Sequence, residues 1–165
     1  MISNKMQKSI NDQINFEYSS SYLYLAMAGY FETINLKGFA NWMRVQAQEE
    51  LVHSMKFYNF LVDRRGKIEL GAIAKPGVEW KSPLDAFEAA LGHEEKVTAR
   101  INNLADLAIT EKDHATHSFL KWFVDEQVEE ESQVNEILSK MKLGKDSIQA
   151  IMMIDHEMAQ RKVKL

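Results

Sequence analysis

Four stretches of this chain carry apolar residues at alternating steps of three and four, the spacing that gathers side chains on one face of an α-helix. The first runs Ile10, Ile14, Glu17, Ser21, Tyr24, Ala28, Phe31, and the second Phe39, Met43, Gln46, Glu50, His53, Phe57, Phe60. The third runs Leu84, Phe87, Leu91, Glu94, Thr98, Ile101, Ala105, and the fourth Leu120, Phe123, Gln127, Glu130, Val134, Ile137, Met141. Near the middle of each ladder, rungs that should be apolar are instead carboxylate, imidazole or amide.

The gaps between ladders set the architecture. Helices are predicted over about 4–34, 38–65, 83–109, 114–143 and 146–161. Ser3 or Asn4 caps the first, and Ser82 caps the third with Pro83 in its opening turn, where a missing N–H is harmless. Gly66 and Gly144 are expected to stop the second and fourth. The breaks at Asn35–Gly38 and Thr110–Asp113 allow only antiparallel returns. The segment from Gly66 to Lys81, with Gly71, Gly77 and Pro76, has no helical period. Fully extended it reaches roughly 55 Å, against roughly 40 to 45 Å for either long neighbour. It can therefore cross the bundle and make the second and third helices parallel. The expected fold is all-α, a single domain over 1–165: two antiparallel hairpins, a crossover at about 66–82 and a short fifth helix.

In each hairpin the polar rungs lie at matching distances from the turn, so they meet at mid-bundle. Glu17, Glu50, His53, Glu94, Gln127 and Glu130 should all face one interior. Buried carboxylates without partners are costly, and several together repel. No Lys or Arg occupies a rung at that height, so ion pairs are a poor explanation; bound cations, most simply two, are a better one. At a spacing of three, Glu50 and His53 can reach a single metal, and Glu50 is placed to bridge two. Three or more carboxylates with one imidazole and one amide suit iron or manganese rather than structural zinc. Tyr24, on the Glu17 stripe, is either a hydrogen-bond donor or electron source for the site, or an aromatic filler.

Other polar groups read differently. Glu49, Glu126 and Glu129 adjoin ligand positions but point about 100° away, fitting either a third cation or a solvated acidic face. Glu111 and His114 repeat the Glu-x-x-His spacing at a turn and read as solvated, and His93 reads as a surface residue.

Composition narrows the chemistry. The 165 residues are 45% hydrophobic and 27% charged, as expected of one ordinary globular core. A net charge of -4, with basic residues scattered apart from Arg161 to Lys164, gives no sign of a nucleic-acid partner. With no Cys, disulfides, thiolate metal sites, iron–sulfur clusters and cysteine nucleophiles are excluded. The polar start lacks a secretory apolar run and no stretch is long enough for a membrane span, so the cytoplasm is the expected location.

With these residues in place the chain resembles bacterial-type non-haem ferritins over essentially its whole length. The resemblance is carried by Asn15-Phe16-Glu17-Tyr18-Ser19-Ser20, by Ala47-Gln48-Glu49-Glu50-Leu51-Val52-His53, by Glu94, and by Phe123-Val124-Asp125-Glu126-Gln127-Val128-Glu129-Glu130-Glu131. It implies one iron site from Glu17, Glu50 and His53, and a second from Glu50, Glu94 and Glu130, with Gln127 close to both. It further implies a third iron site from Glu49, Glu126, Glu129 and Glu130, and a tyrosine beside the centre at Tyr24. Ferritins oxidise Fe(II) with dioxygen or hydrogen peroxide and store the ferric mineral. They do so inside a twenty-four-subunit homo-oligomeric shell, whose channels are lined by the fifth helix. Ile148, Ile151, Met152 and Met158 would then be buried between subunits.

Haem-binding relatives carry Met where this chain has Leu51, and a second Glu-x-x-His where it has Gln127-x-x-Glu130, so no haem is expected. Two alternatives stay open: a dinuclear-iron enzyme acting on an organic substrate or peroxide, and a metal-free helical interaction bundle.

Overall fold

A computed structural model describes residues 2–145 and 147–163. Five helices follow in order: α1 (Asn4–Thr33), α2 (Lys37–Asp63), α3 (Pro83–Thr110), α4 (His114–Gly144) and α5 (Ile148–Met158). The expected start of the fifth helix, Asp146, lies outside the described residues, as does Lys164 of the basic cluster.

The helix starts follow local chemistry. Ser3, Ser82, Asp113 and Ser147 each accept from a backbone N–H three residues on, satisfying a donor that the first turn leaves open. Among the described helices α2 alone begins at a residue, Leu36, whose side chain offers no cap. Asp155 on α5 does this instead, its Oδ1 accepting from Gly38 N at 2.8 Å and Phe39 N at 3.0 Å.

The helix ends correct the expectation that glycines stop α2 and α4. The left-handed residues are Asn35, Arg65, Lys112 and Lys145, with φ of 59°, 58°, 55° and 46°, and no described glycine has positive φ. After α1, α2 and α3 the chain closes with the same bond, Leu36 N to Phe31 O, Gly66 N to Leu61 O and Asp113 N to Ala108 O. This six-to-one closure is the Schellman pattern. Its backbone bonds outweigh the roughly 1 kcal/mol that a side chain costs in the left-handed region. Gly66 is needed one position later, where a Cβ would sit 2.2 Å from Leu61 Cδ1.

The crossover is tied to α1 by side chains one turn apart. Gln7 Oε1 accepts from Lys67 N, Asn11 Oδ1 from Glu69 N and Asn15 Oδ1 from Gly71 N, each at 2.8 Å. Alternate residues of an extended strand of chain thus meet successive turns of a helix. Farther on, Trp80 packs edge-on against Tyr30 near the other end of α1, ring centroids 5.5 Å apart. The segment therefore travels the length of the bundle.

Two apolar clusters fill the interior. One includes Tyr24, Phe31, Phe39, Met43, Phe87, Val134, Leu138 and Met141; the other includes Ile10, Ile14, Phe57, Leu61, Ile101, Leu120 and Phe123. Between them on every long helix lie the polar rungs. On α3 the buried stripe is Phe87, Ala90, Glu94, Val97, Ile101, Leu104 and Ala108, while Leu84, Leu91, Thr98 and Ala105 are half-buried. The expected ladder had the right period but is displaced by one residue at Leu91, Thr98 and Ala105, where Ala90, Val97 and Leu104 are buried instead. On α4, Leu138 is buried where Ile137 was expected, and on α2 Phe60 is only half-buried.

On α5, Ile148 and Met152 are exposed and Ile151 is half-buried, but Met158 packs into the first cluster. Its burial within the chain corrects its assignment to a surface awaiting a partner. Among the described residues no helix is long and apolar enough to cross a membrane.

Candidate metal centre

All six expected ligands are buried: Glu17, Glu50, His53, Glu94, Gln127 and Glu130. One donor atom from each of Glu17, Glu50 and His53 falls within a 4.8 Å span, as do donors from His53, Glu126 and Glu130. Glu50 Oε2 is 3.4 Å from His53 Nδ1. The imidazole meets Trp122 and Phe123, neighbours on α4, edge-on, at 5.5 and 6.0 Å between centroids.

Each carboxylate of the layer has at least one oxygen held by the protein, and Glu94 has both. Glu17 Oε1 accepts from Gln13 Nε2 at 2.8 Å, and Glu50 Oε1 from Gln46 Nε2 at 3.2 Å. The same Gln46 nitrogen donates to Glu130 Oε2 at 2.8 Å. Tyr24 donates its hydroxyl hydrogen to Glu94 Oε1, and Gln127 Nε2 donates to Glu94 Oε2 at 3.2 Å. Among the described residues two buried side-chain atoms accept no hydrogen bond, Glu17 Oε2 and Glu50 Oε2. Such atoms are rare in folded proteins, and a carboxylate oxygen without a donor invites a cation.

The electrostatics agree. Burial, then the charge of Glu50, pushes the Glu17 carboxyl well above the usual range. Burial, then Glu94 and Glu130, does the same to Glu50. Burial and Glu94 raise Glu130 to about 7, and burial raises Glu94 against the opposing bonds from Tyr24 and Gln127. Carboxyls raised in this way hold a proton more tightly than free ones, and a cation can compete for the same oxygens. The donor set is oxygen-rich with one imidazole, hard enough for ferrous and ferric iron.

A family model described as the ferritin-like domain matches residues 7–144. The chain belongs to the ferritin family. It is 40% identical to the bacterial non-heme ferritin of Staphylococcus aureus strain USA300 over 162 residues, 98% of this chain and 97% of that protein. It is 39% identical over 161 residues to the same-named protein of Staphylococcus haemolyticus strain JCSC1435, with the same coverage. In structure it matches an open pore ferritin from the hyperthermophilic archaeon Archaeoglobus fulgidus. The TM-score is 0.97 at 49% identity, covering 98% of this chain and all of that one. An engineered closed form of the Archaeoglobus fulgidus ferritin matches with a TM-score of 0.98, also at 49% identity, over 99% of this chain and 100% of that one. Membership supports iron storage as the role of this ferritin chain.

One expectation changes in this ferritin, that for His93, and two others take a more particular form. Neither three-donor grouping contains Glu94, whose carboxylate is engaged by Tyr24 and Gln127. Among the described residues no one three-donor grouping holds all four residues of the expected third site. Glu126 joins His53 and Glu130, Glu129 is exposed and accepts from Gln133 Nε2 at 3.0 Å, and Glu49 is buried against Arg161 Nη2 at 2.5 Å. A cation thus does reach the edge of this layer, from beyond α5 rather than from a rung. Lastly, His93 is not a surface residue. Its Nε2 lies 2.8 Å from Ser20 Oγ, its ring stacks on Phe16, and burial lowers its pKa to about 4. Of the second Glu-x-x-His pair, His114 is exposed and Glu111 accepts from Ser3 Oγ at 2.6 Å, as a turn pair would.

Sequence reasoning missed Gln13 and Arg100, and left Gln46 as a rung without a role. The available signal was spacing: Gln13 and Gln46 each stand four residues before a carboxylate of the buried layer, one helical turn away.

Proposed function

We propose that this ferritin is an iron-storing ferroxidase, in which Fe(II) is the substrate of the buried polar layer. The observation that carries the reading is the pair of undonated oxygens, Glu17 Oε2 and Glu50 Oε2, beside His53 between two apolar clusters. Two ferrous ions bound there each give up one electron to dioxygen, which takes up two protons and leaves as hydrogen peroxide. Peroxide can serve as the oxidant in a further turnover. The ferric ions hydrolyse, release protons and leave as hydrated oxide for storage.

The chain's contribution is placement and charge. Glu50 stands between the other donors and is suited to bridging; Glu17 with His53, and Glu94 with Glu130, hold the two sides. The carboxylates stabilise the higher oxidation state, and the apolar clusters keep bulk water from the reacting ions. Assembly into a twenty-four-copy shell would enclose the mineral. The exposed apolar residues Leu143, Ile148 and Met153, at 84, 75 and 74% exposure, are the kind of surface that such contacts cover.

The test is stopped-flow oxidation of Fe(II) by Glu50→Ala/His53→Ala. The fast phase should fall at least about tenfold; a wild-type rate would place the chemistry elsewhere. Iron retained far beyond two ions per chain supports storage over a dinuclear enzyme.

A further inference from the structure

We propose that Gln13 and Gln46 are positioning residues that turn Glu17 Oε2 and Glu50 Oε2 toward the ferrous substrate, each amide being locked by an arginine. The inference rests on reading this layer as the iron-oxidising site.

The same three-part arrangement occurs twice. Arg100 Nε donates to Gln13 Oε1 at 2.9 Å, and Gln13 Nε2 donates to Glu17 Oε1 at 2.8 Å. Arg161 Nη2 donates to Gln46 Oε1 at 2.7 Å, and Gln46 Nε2 donates to Glu50 Oε1 at 3.2 Å. A guanidinium has only donors, and a carboxylate that has given up its proton to bind a cation has only acceptors. An amide between them therefore satisfies both in one orientation alone, carbonyl toward arginine and amino group toward glutamate. Turning it over would set N–H against N–H and oxygen against oxygen.

Each arginine is itself held. Arg100 donates to the Asp12 carbonyl at 3.0 Å and lies over the Phe16 ring at 4.3 Å. Arg161 donates to the Trp42 carbonyl at 3.3 Å and lies over the Trp42 ring at 4.2 Å. The outcome is the same on α1 and α2: the glutamine takes one carboxylate oxygen and the other is left without a donor. Those are the two orphaned oxygens of the described chain. Gln13 and Gln46 are themselves buried, so water does not compete for their amides.

The two devices differ in reach. Gln13 meets Glu17 alone, whereas Gln46 also donates to Glu130. Loss of Gln13 should therefore disturb one metal position, and loss of Gln46 both.

Anaerobic titration with Co(II) alone, followed by its visible absorbance, tests this without turnover. Wild type should take up two Co(II) per chain. Gln13→Leu should weaken one by about tenfold and leave the other, and Gln46→Leu should weaken both, as expected for partners that orient metal ligands. Arg100→Met and Arg161→Met leave the glutamines in place and keep the test alive if a glutamine variant does not fold; Arg161→Met also removes the ion pair to Glu49 and is read at the two central ions alone. Each should weaken Co(II) binding less than its glutamine variant. Gln13→Leu/Arg100→Met should bind no more weakly than Gln13→Leu, because both act along one path. Unchanged affinities in folded variants, or additive losses in the double variant, would overturn the positioning role. Wild type that binds fewer than two Co(II) and oxidises no iron would instead overturn the reading of the site.

Discussion

Asp155 reaches from α5 to the first turn of α2, and its Oδ1 accepts from both Gly38 N and Phe39 N. A carboxylate at a helix N-terminus is favoured by the open N–H groups and by the helix dipole. The contact is close enough to exclude a side chain: a Cβ on Gly38 would lie 1.6 Å from the Asp155 carbonyl oxygen. Gly38→Ala should therefore loosen α5 while sparing the four long helices. Backbone crowding of this kind costs on the order of 1 to 3 kcal/mol. Amide hydrogen exchange over Ile148–Met158 should then rise by about tenfold or more relative to α1 through α4. Unchanged exchange there would mean that α5 is not held by this contact.

The four long helices were legible because their signals are local. Steps of three and four, Ser3 and Ser82 as caps and Pro83 in a first turn all act within one or two turns of chain. The buried polar layer was legible for the same reason, since Glu17, Glu50, Glu94 and Glu130 interrupt apolar ladders. What could not be read depends on distant contacts. Asp155 and Arg161 act more than a hundred residues away on Gly38 and Glu49, and nothing in their own neighbourhoods marks them. His93 lies beside the α3 stripe, so periodicity put it outside; packing against Phe16 and Ser20 brings it in. The left-handed Arg65 and Lys112 carry no composition signal, because the closing backbone bonds rather than a glycine set those turns.

Tyr24 joins α1 to the Glu94 carboxylate of α3. Burial and the neighbouring Glu94 raise its phenol well above the ordinary value, so it remains a donor throughout the neutral range. Tyr24→Phe keeps the ring and removes the donor, leaving Glu94 Oε1 without this partner. The metal-free chain should lose about 1 to 3 kcal/mol in denaturant unfolding, and the fast phase of Fe(II) oxidation should slow. An unchanged rate together with the stability loss would make Tyr24 a structural residue only.

Arg161 and Glu49 are a nearly buried pair at 2.5 Å. Any third cation that uses Glu49 must compete with that guanidinium. Terbium(III) luminescence titration of wild type should resolve tight uptake at the central layer and weaker uptake beyond it, separated by at least about tenfold, or 1.4 kcal/mol. Equal affinity for the third ion would show that Arg161 does not hold Glu49 against metals.

Acidity should act on this fold with two opposite signs. Glu130 titrates near 7 in the folded chain against an ordinary 4.5, so it binds a proton that the unfolded chain has already released. Its contribution to stability is complete below about 4.5 and is lost as pH rises through about 7. His93 titrates near 4 against an ordinary 6.5, so its contribution is present above about 6.5 and lost as pH falls toward about 4. In metal-free protein the stability difference between wild type and Glu130→Gln should shrink or reverse as pH rises from about 5 to 8. The difference between wild type and His93→Gln should instead grow from about pH 4 to 6.5, by on the order of 3 kcal/mol for that shift. Saturating Co(II) should abolish the Glu130 trend, because the ion takes the place of the proton, and leave the His93 trend intact. Denaturant midpoints across this range separate the two, and a Glu130 trend that persists with metal bound would mean that the carboxylate is not a ligand.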